Sequence, residues 1–561
     1  MDKRRLIIRV SSDRLPLGAP PSSCRESAGV LLLRIQTIFG WMAQCLALTL
    51  LFISSAMTAH ANVYASDIKL NGSQNAAVIL PGGSLTISYI LNDTATGGVW
   101  VRIYGGTNAI HTLSSADGNA GTNAGLNSAI WSGTPELAEG AYTVTITAAS
   151  AGYAAWTNIT DDGPNFYVNT PRGLAVNQNT NSPYYGRVYA ASAFGDNVGI
   201  FKFNADGSPA DEGGFSTGGY GWGGGKFSPW KMAVGADDRL YVDDYSGGVV
   251  ASFDPTLGDN NPRNVIRTDN YPAGGDPNAH LSGLSVIGAG ANAQIWMTDE
   301  NLSESAGIIG WQIGADGVAA TNDTGTVIVP LDSYFLTQGP WDLAVDTNGY
   351  IYAIQLLTSD YPGYALLSFP PYGATQETWP DWAIGAYPTL QGAFGVAVDP
   401  TATCVAVAVV GLFDTETNGT GWLNLYRATD GGGMTNVDQT GGDAYYDVAW
   451  DNVGNLYTLD GTREVWRAYS PPGINQATTV AVPVIQAYNA LLAPSLVNPA
   501  ANQGQMLFTL EGQSNVNYVI QGSDDMSNWV PVATNFSATA NRNIAVPASG
   551  GQEFYRAMTV P

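Results

Sequence analysis

Cysteine, histidine and positive charge are all scarce in this sequence. Its 561 residues contain three cysteines, Cys24, Cys45 and Cys404, and the first two precede residue 62, where a leader-like segment ends. Cys404 is then alone, which excludes an intrachain disulfide framework and multi-cysteine zinc sites. It sits in the apolar run Cys404-Val-Ala-Val-Ala-Val-Val410, the setting of a buried, inert thiol. Only His111 and His280 follow the leader, so no ordered Ser/His/Asp set can be read from the chain. Lys and Arg number 22 against 47 Asp and Glu, a formal net charge of −25. The first 61 residues hold seven of those bases and three of those acids, which leaves the remainder at −29. Such a surface repels nucleic acid and anionic headgroups, attracts cations and leaves neutral glycans unaffected. Long apolar runs are missing too. Residues 45–57 are apolar but short of the ~20 residues a membrane span needs, and no later segment is long and apolar enough to cross.

What is present is turn chemistry and apolar patterning. Hydrophobic residues make up 45% of the chain and charged residues 12%, with 67 glycines and 30 prolines, the composition of a folded protein built from many short strands. The length points to about three domains. Residues 1–61, with an apolar run followed by Ala59-His60-Ala61, read as a signal peptide, with Met42 an alternative start. That predicts a secreted, periplasmic or cell-surface protein with no membrane span once the leader is removed.

Six segments repeat a short apolar strand with a small residue before its last position: Gly173-Leu-Ala-Val176, Lys231-Met-Ala-Val234, Gly283-Leu-Ser-Val286, Asp342-Leu-Ala-Val345, Gly395-Val-Ala-Val398 and Asp447-Val-Ala-Trp450. Their ends are 58, 52, 59, 53 and 52 residues apart. Three carry a second strand with a Tyr seven residues on (Tyr241, Tyr352, Tyr457), two of these after glycine turns such as Asp346-Thr-Asn-Gly349. A period of this length with several strands per unit predicts the blades of a six-bladed β-propeller over residues 169–489.

These repeats resemble the NHL and regucalcin-like six-bladed propellers and their G-x-A-V-D-x-x-G-x-x-Y pattern. Residues 62–168 alternate apolar and polar residues, and Trp131-Ser-Gly with Gly140-Ala-Tyr142 through Ile146 resembles the Ig-like domain of the flagellar hook-capping family. There Trp131 and Tyr142 would be core residues of a β-sandwich. The Pro/Ala/Asn-rich residues 490–503 read as a linker. Residues 504–561, with Tyr518-Val-Ile-Gln521, Trp529 and Phe554-Tyr-Arg-Ala557, resemble a small C-terminal β-sandwich of large secreted bacterial proteins. The chain is therefore expected to be all-β throughout.

If the repeats are innermost strands, the preceding positions converge on the propeller axis: Arg172, Trp230, Ser282, Trp341, Phe394 and Tyr446. The next ring alternates Gly173, Lys231, Gly283, Asp342, Gly395 and Asp447. Aromatic faces with a few charges suit stacking against sugar rings or cations; the same rings could instead wedge neighbouring blades. Gly339-Pro-Trp-Asp342 resembles the E-G-P-x-W-D segment of regucalcin-like lactonases, whose Glu ligates a divalent metal. Gln338, a poorer ligand, stands in its place here, and one residue is missing between Pro and Trp. Quinone-dependent sugar dehydrogenases would require an axial His, for which His280 is the candidate. Calcium fits Asp414, Glu416 and Asn418 in Asp414-Thr-Glu-Thr-Asn-Gly419, although Leu425 stands where an EF-hand has Glu, and the ion would be structural. Asn204-Ala-Asp-Gly207 and Asp243-Asp244 read as further acidic turns.

The expectation is a secreted or cell-envelope binding or scaffold protein that presents its axial surface to a glycan, a small molecule or an envelope protein. The alternative is a periplasmic propeller enzyme acting on sugars or lactones. A third reading is an adhesin using multivalent weak contacts.

Overall fold

Period-two alternation interrupted by glycine turns puts the chain into strands, and every sheet that results is short and mostly antiparallel. The computed structural model describes residues 63–559 apart from 75–76, 196, 223–226, 259–261, 268–269, 271–280, 301–306, 315, 322, 332–333, 338, 356–362, 372–378, 387–388, 412–420, 439–442, 474–477, 489–490, 503, 515, 538–539 and 548–553. The leader, His280, Gln338, Asp414, Glu416 and Asn418 lie outside the described residues.

Each repeat opens a four-stranded antiparallel sheet. The six first strands are Pro171–Val176, Met232–Val234, Leu281–Ile287, Pro340–Val345, Ala393–Val398 and Tyr445–Trp450. The small residue of the repeat has a direct cause. Ala175 lies opposite Tyr189, Ala233 opposite Tyr241, Ser285 opposite Trp296, Ala344 opposite Tyr352 and Ala449 opposite Tyr457. A larger residue there would compete with the ring across the ladder. The Asp that follows the repeat caps the turn: Asp346 Oδ1 accepts the N–H groups of Asn348 and Tyr350, and Gly349 takes φ +87°. Asp451 does the same for Val453 and Asn455, with Gly454 at φ +93°.

Apolar residues fill the gaps between consecutive sheets. Tyr241 and Val250 meet Leu281 and Ile295 between sheets two and three, and Tyr352 and Leu366 meet Val396 and Val405 between four and five. The series returns to its start, because Tyr457 and Trp466 of sheet six pack with Leu174 and Val188 of sheet one. The first strands likewise touch in cyclic order, the sixth against the first. Both faces of these strands are covered, which is why Cys404–Val409 is apolar without alternation and buried at every position. Cys404 is among them, and burial pushes its thiol pKa up.

Pairings cross the domain boundaries read from the sequence. The outer strand of sheet six is Thr157–Asn158, which pairs with Tyr469 and Ser470 although it precedes all the repeats. Arg467 fastens it through two 2.7 Å bonds, from Nε and Nη2, to Asp162. Conversely, Thr478–Ala487, downstream of the repeats, pairs with Gly140–Ala149 ahead of them. The N-terminal region has a three-stranded sheet (Ala65–Leu70, Ser84–Leu91, Gly125–Ser132) and a five-stranded sheet completed by the late strand. The repeats thus lie between two paired strands of that five-stranded sheet. Trp131 and Tyr142 are buried in the core of this region.

The final module has two three-stranded sheets around Phe508, Leu510, Tyr518 and Ile520. Part of the expected linker is a strand, Ser495–Asn502, paired with Gln505–Glu511. The proline that marks this stretch as a linker is accommodated in the strand: Pro499 falls in the register shift between Val497 and Ala500, beside Asn498 at φ +53°. On an edge strand a bulge accommodates a residue without an N–H.

Candidate functional site

The alternating ring of glycines and charges meets at one layer. Lys231 from sheet two donates from Nζ to Asp447 Oδ1 of sheet six at 2.6 Å and to Asp342 Oδ2 of sheet four at 2.9 Å. It also reaches the carbonyls of Phe394 at 3.1 Å and Tyr446 at 3.4 Å. The carboxylates are occupied from their other sides. Asp447 Oδ2 accepts the Leu174 N–H, and Asp342 accepts those of Val396 and Leu343. One buried ion triad therefore ties the inner strands of sheets one, two, four, five and six.

The glycines between the charges are sterically required. A Cβ on Gly173 would stand 2.0 Å from the Trp230 carbonyl oxygen, one on Gly283 2.6 Å from Asp342 Cα, and one on Gly395 2.7 Å from Asp447 Cα. Each glycine thus admits the backbone beside the next sheet's charged residue. Burial works against the Lys231 charge, but Asp342 and Asp447 outweigh it and hold its pKa above the ordinary lysine value. Burial pushes Asp447 up to about 7 despite Lys231, and raises Asp342 as well.

On one side of this layer the ring aromatics pack against one another. Trp341 and Phe394 lie 5.2 Å apart, Trp230 and Phe394 5.8 Å, and Phe394 and Tyr446 5.2 Å between centroids. Arg172 covers Tyr446 with its guanidinium 4.5 Å from the ring centre. Trp230 is 3% and Phe394 6% exposed, so their faces serve each other. Ser282 is buried and bonded to Thr298 and the Pro340 carbonyl.

On the other side is a cavity of about 530 Å3. The triad forms one end, and its wall is the next residue of every repeat: Leu174, Met232, Leu284, Leu343, Val396 and Val448. Asp346 and Asp399 line it as well, and among the described residues Lys231 is its sole basic lining residue.

The sequence brought Arg172, Trp230, Lys231, Trp341, Asp342, Phe394, Tyr446 and Asp447 into consideration, and the structure places all eight in these two adjoining layers. It does not make the charged layer a metal site, because the Lys231 ammonium already occupies the position between the two carboxylates. Among the described residues no three His, Cys, Asp or Glu side chains are grouped to hold a metal ion. Asp243 and Asp244 are not in a turn but buried in strand Leu240–Asp244. Among the described residues neither Asp243 carboxylate oxygen has a hydrogen-bond partner, and burial, then Asp244 and Glu300, push its pKa well up. A burial of this kind has no signal in the sequence.

No protein-family model matches the chain, and no curated protein matches it. Among solved structures it shows a likeness to two glucose dehydrogenases. One has 10% identity and a TM-score of 0.26 over 42% of this chain and 94% of that one; the other has 10% and 0.22 over 43% and 94%. A glycoside hydrolase aligns at 8% identity and a TM-score of 0.20 over 88% of this chain and 94% of its own. Scores this low assign neither fold nor activity.

Proposed function

We propose that the six sheets are blades of a closed NHL-like β-propeller in a secreted or cell-envelope binding protein, with a hook-capping-type sandwich and a C-terminal sandwich as scaffold. The cyclic order of inter-sheet cores and the strand supplied by Thr157–Asn158 support closure. The observation that carries the binding reading is the 530 Å3 axial cavity, a volume in the range of small-molecule sites. Three of its lining side chains near the axis are mutually paired ions, so they hold the walls in place. With Asp346 and Asp399 added, the lining favours a neutral or cationic ligand over an anion. The glycan contact expected at the ring aromatics has little open ring face to use there.

One observation favours the enzymatic alternative on sugars or lactones: Asp447, held near 7 by burial, lines the cavity and could act as a base. Isothermal titration of the full chain with neutral sugars, lactones and quinones separates the readings. Binding without turnover that is lost in Ala397→Leu, a change at a residue lining the cavity, in a variant that still melts with the parent, supports the binding protein. Turnover abolished by Asp447→Asn supports the enzyme. Absence of binding by every compound, or binding indifferent to Ala397→Leu, overturns the cavity as the site.

A further inference from the structure

We infer that a second site, independent of the axial cavity, lies on the outside of sheet four and takes a neutral glycan. Three segments converge there. Tyr334 and Phe335 come from the connection into the sheet, Tyr364 begins its third strand, and Trp379 precedes its fourth. Phe335 stacks on Tyr364 at 5.1 Å and meets Trp379 edge to face at 5.2 Å. Trp379 and Tyr334 lie 6.3 Å apart with their planes only 23° from parallel. These rings are open to solvent: Tyr334 is 72%, Trp379 59% and Tyr364 38% exposed.

The arrangement is built rather than incidental. Gln355, fully buried, donates from Nε2 to the carbonyls of both Phe335 (2.7 Å) and Tyr364 (2.6 Å). Leu336, also fully buried, anchors the same connection in the core between sheets three and four. Backbone that carries two of the rings is thus fixed from beneath, which lowers the ordering cost of using them. Tyr and Trp add contact area with only two side-chain torsions each.

Area and charge decide the occupant. A fully covered aromatic side chain buries about 150–250 Å2, so at these exposures the three open rings offer roughly 250–400 Å2. That is half or less of the ~800 Å2 per partner of a stable protein interface. It matches one or two sugar rings, whose C–H faces stack on aromatic rings while their hydroxyls remain in water. The chain's charge of −25 disfavours anionic polymers and leaves neutral ones unaffected.

Affinity electrophoresis of the full chain in gels containing cellulose derivative, xylan, galactomannan or starch tests this. Retardation by at least one of these is expected, weakened roughly tenfold or more by Trp379→Ala and by Tyr334→Ala. Because both rings are exposed, the variants should melt with the parent, and Ala397→Leu should leave retardation intact, which separates this site from the axial one. Retardation by none of the four, retardation that survives both substitutions, or response only to the anionic polymer alginate would each overturn the inference. So would dependence on a co-purifying protein.

Discussion

Replacing Lys231 with methionine keeps most of the side-chain volume and removes the ammonium. Asp342 and Asp447 then face each other in a buried layer without their cation, and the Phe394 and Tyr446 carbonyls lose a donor. Removing one partner of a buried ion pair costs about 3–5 kcal/mol, mostly through the charge left behind. Two carboxylates share the loss here, so the upper part of that range is expected. Calorimetry of the full chain should show the transition of the six four-stranded sheets lowered by on the order of 10 °C at pH 8, with the other transitions less affected. The penalty should shrink at pH 5, because without the ammonium the two carboxylates are further raised and a proton can take the cation's place. Lys231→Met/Asp447→Asn should recover part of the loss at pH 8. A single variant melting within about 2 °C of the parent at pH 8, or one hurt more at pH 5 than at pH 8, would refute the triad as the tie between sheets.

The unaltered protein should itself be less stable at pH 8 than at pH 5. Asp447, Asp451 and Glu300 are each pushed up to about 7 by burial, so the stability they contribute is present below the ordinary carboxylate range and lost as pH rises through about 7. Asp447→Asn should flatten that slope in urea titrations, and a slope of the opposite sign would contradict the burial argument. Gly173→Ala should cost at least the ~1–3 kcal/mol of a typical overpacked core, because the obstructing atom is backbone, whereas Gly433→Ala meets nothing within 4 Å and should be near neutral in the same titrations. A chain ending at residue 489 should keep a protease-resistant N-terminal region, and one ending at 477 should lose it, since residues 478–487 pair with Gly140–Ala149.

Much of the architecture was legible because it is periodic. The small residue opposite an aromatic, the Asp that caps the following turn and the run of Cys404–Val409 covered on both faces are local demands, and each leaves a local mark. The alternation of glycine with Lys231, Asp342 and Asp447 was visible as well. Its reason was not, because a glycine's need depends on the Trp230 or Asp447 backbone of another sheet.

The sequence by itself determined the strands, their sixfold repetition and the alternation of glycine with Lys231, Asp342 and Asp447. Tertiary structure alone decided that Lys231 closes on partners 111 and 216 residues away. It decided too that Thr157–Asn158 and Thr478–Ala487 trade places across the domain boundaries. It also sorted the aromatics, turning Trp230 and Phe394 inward and leaving Tyr334 and Trp379 in water. The physical reason is range. Periodicity records what a residue needs from its neighbours in the chain, while ion pairing, strand exchange and exposure are settled by which distant segments arrive beside it.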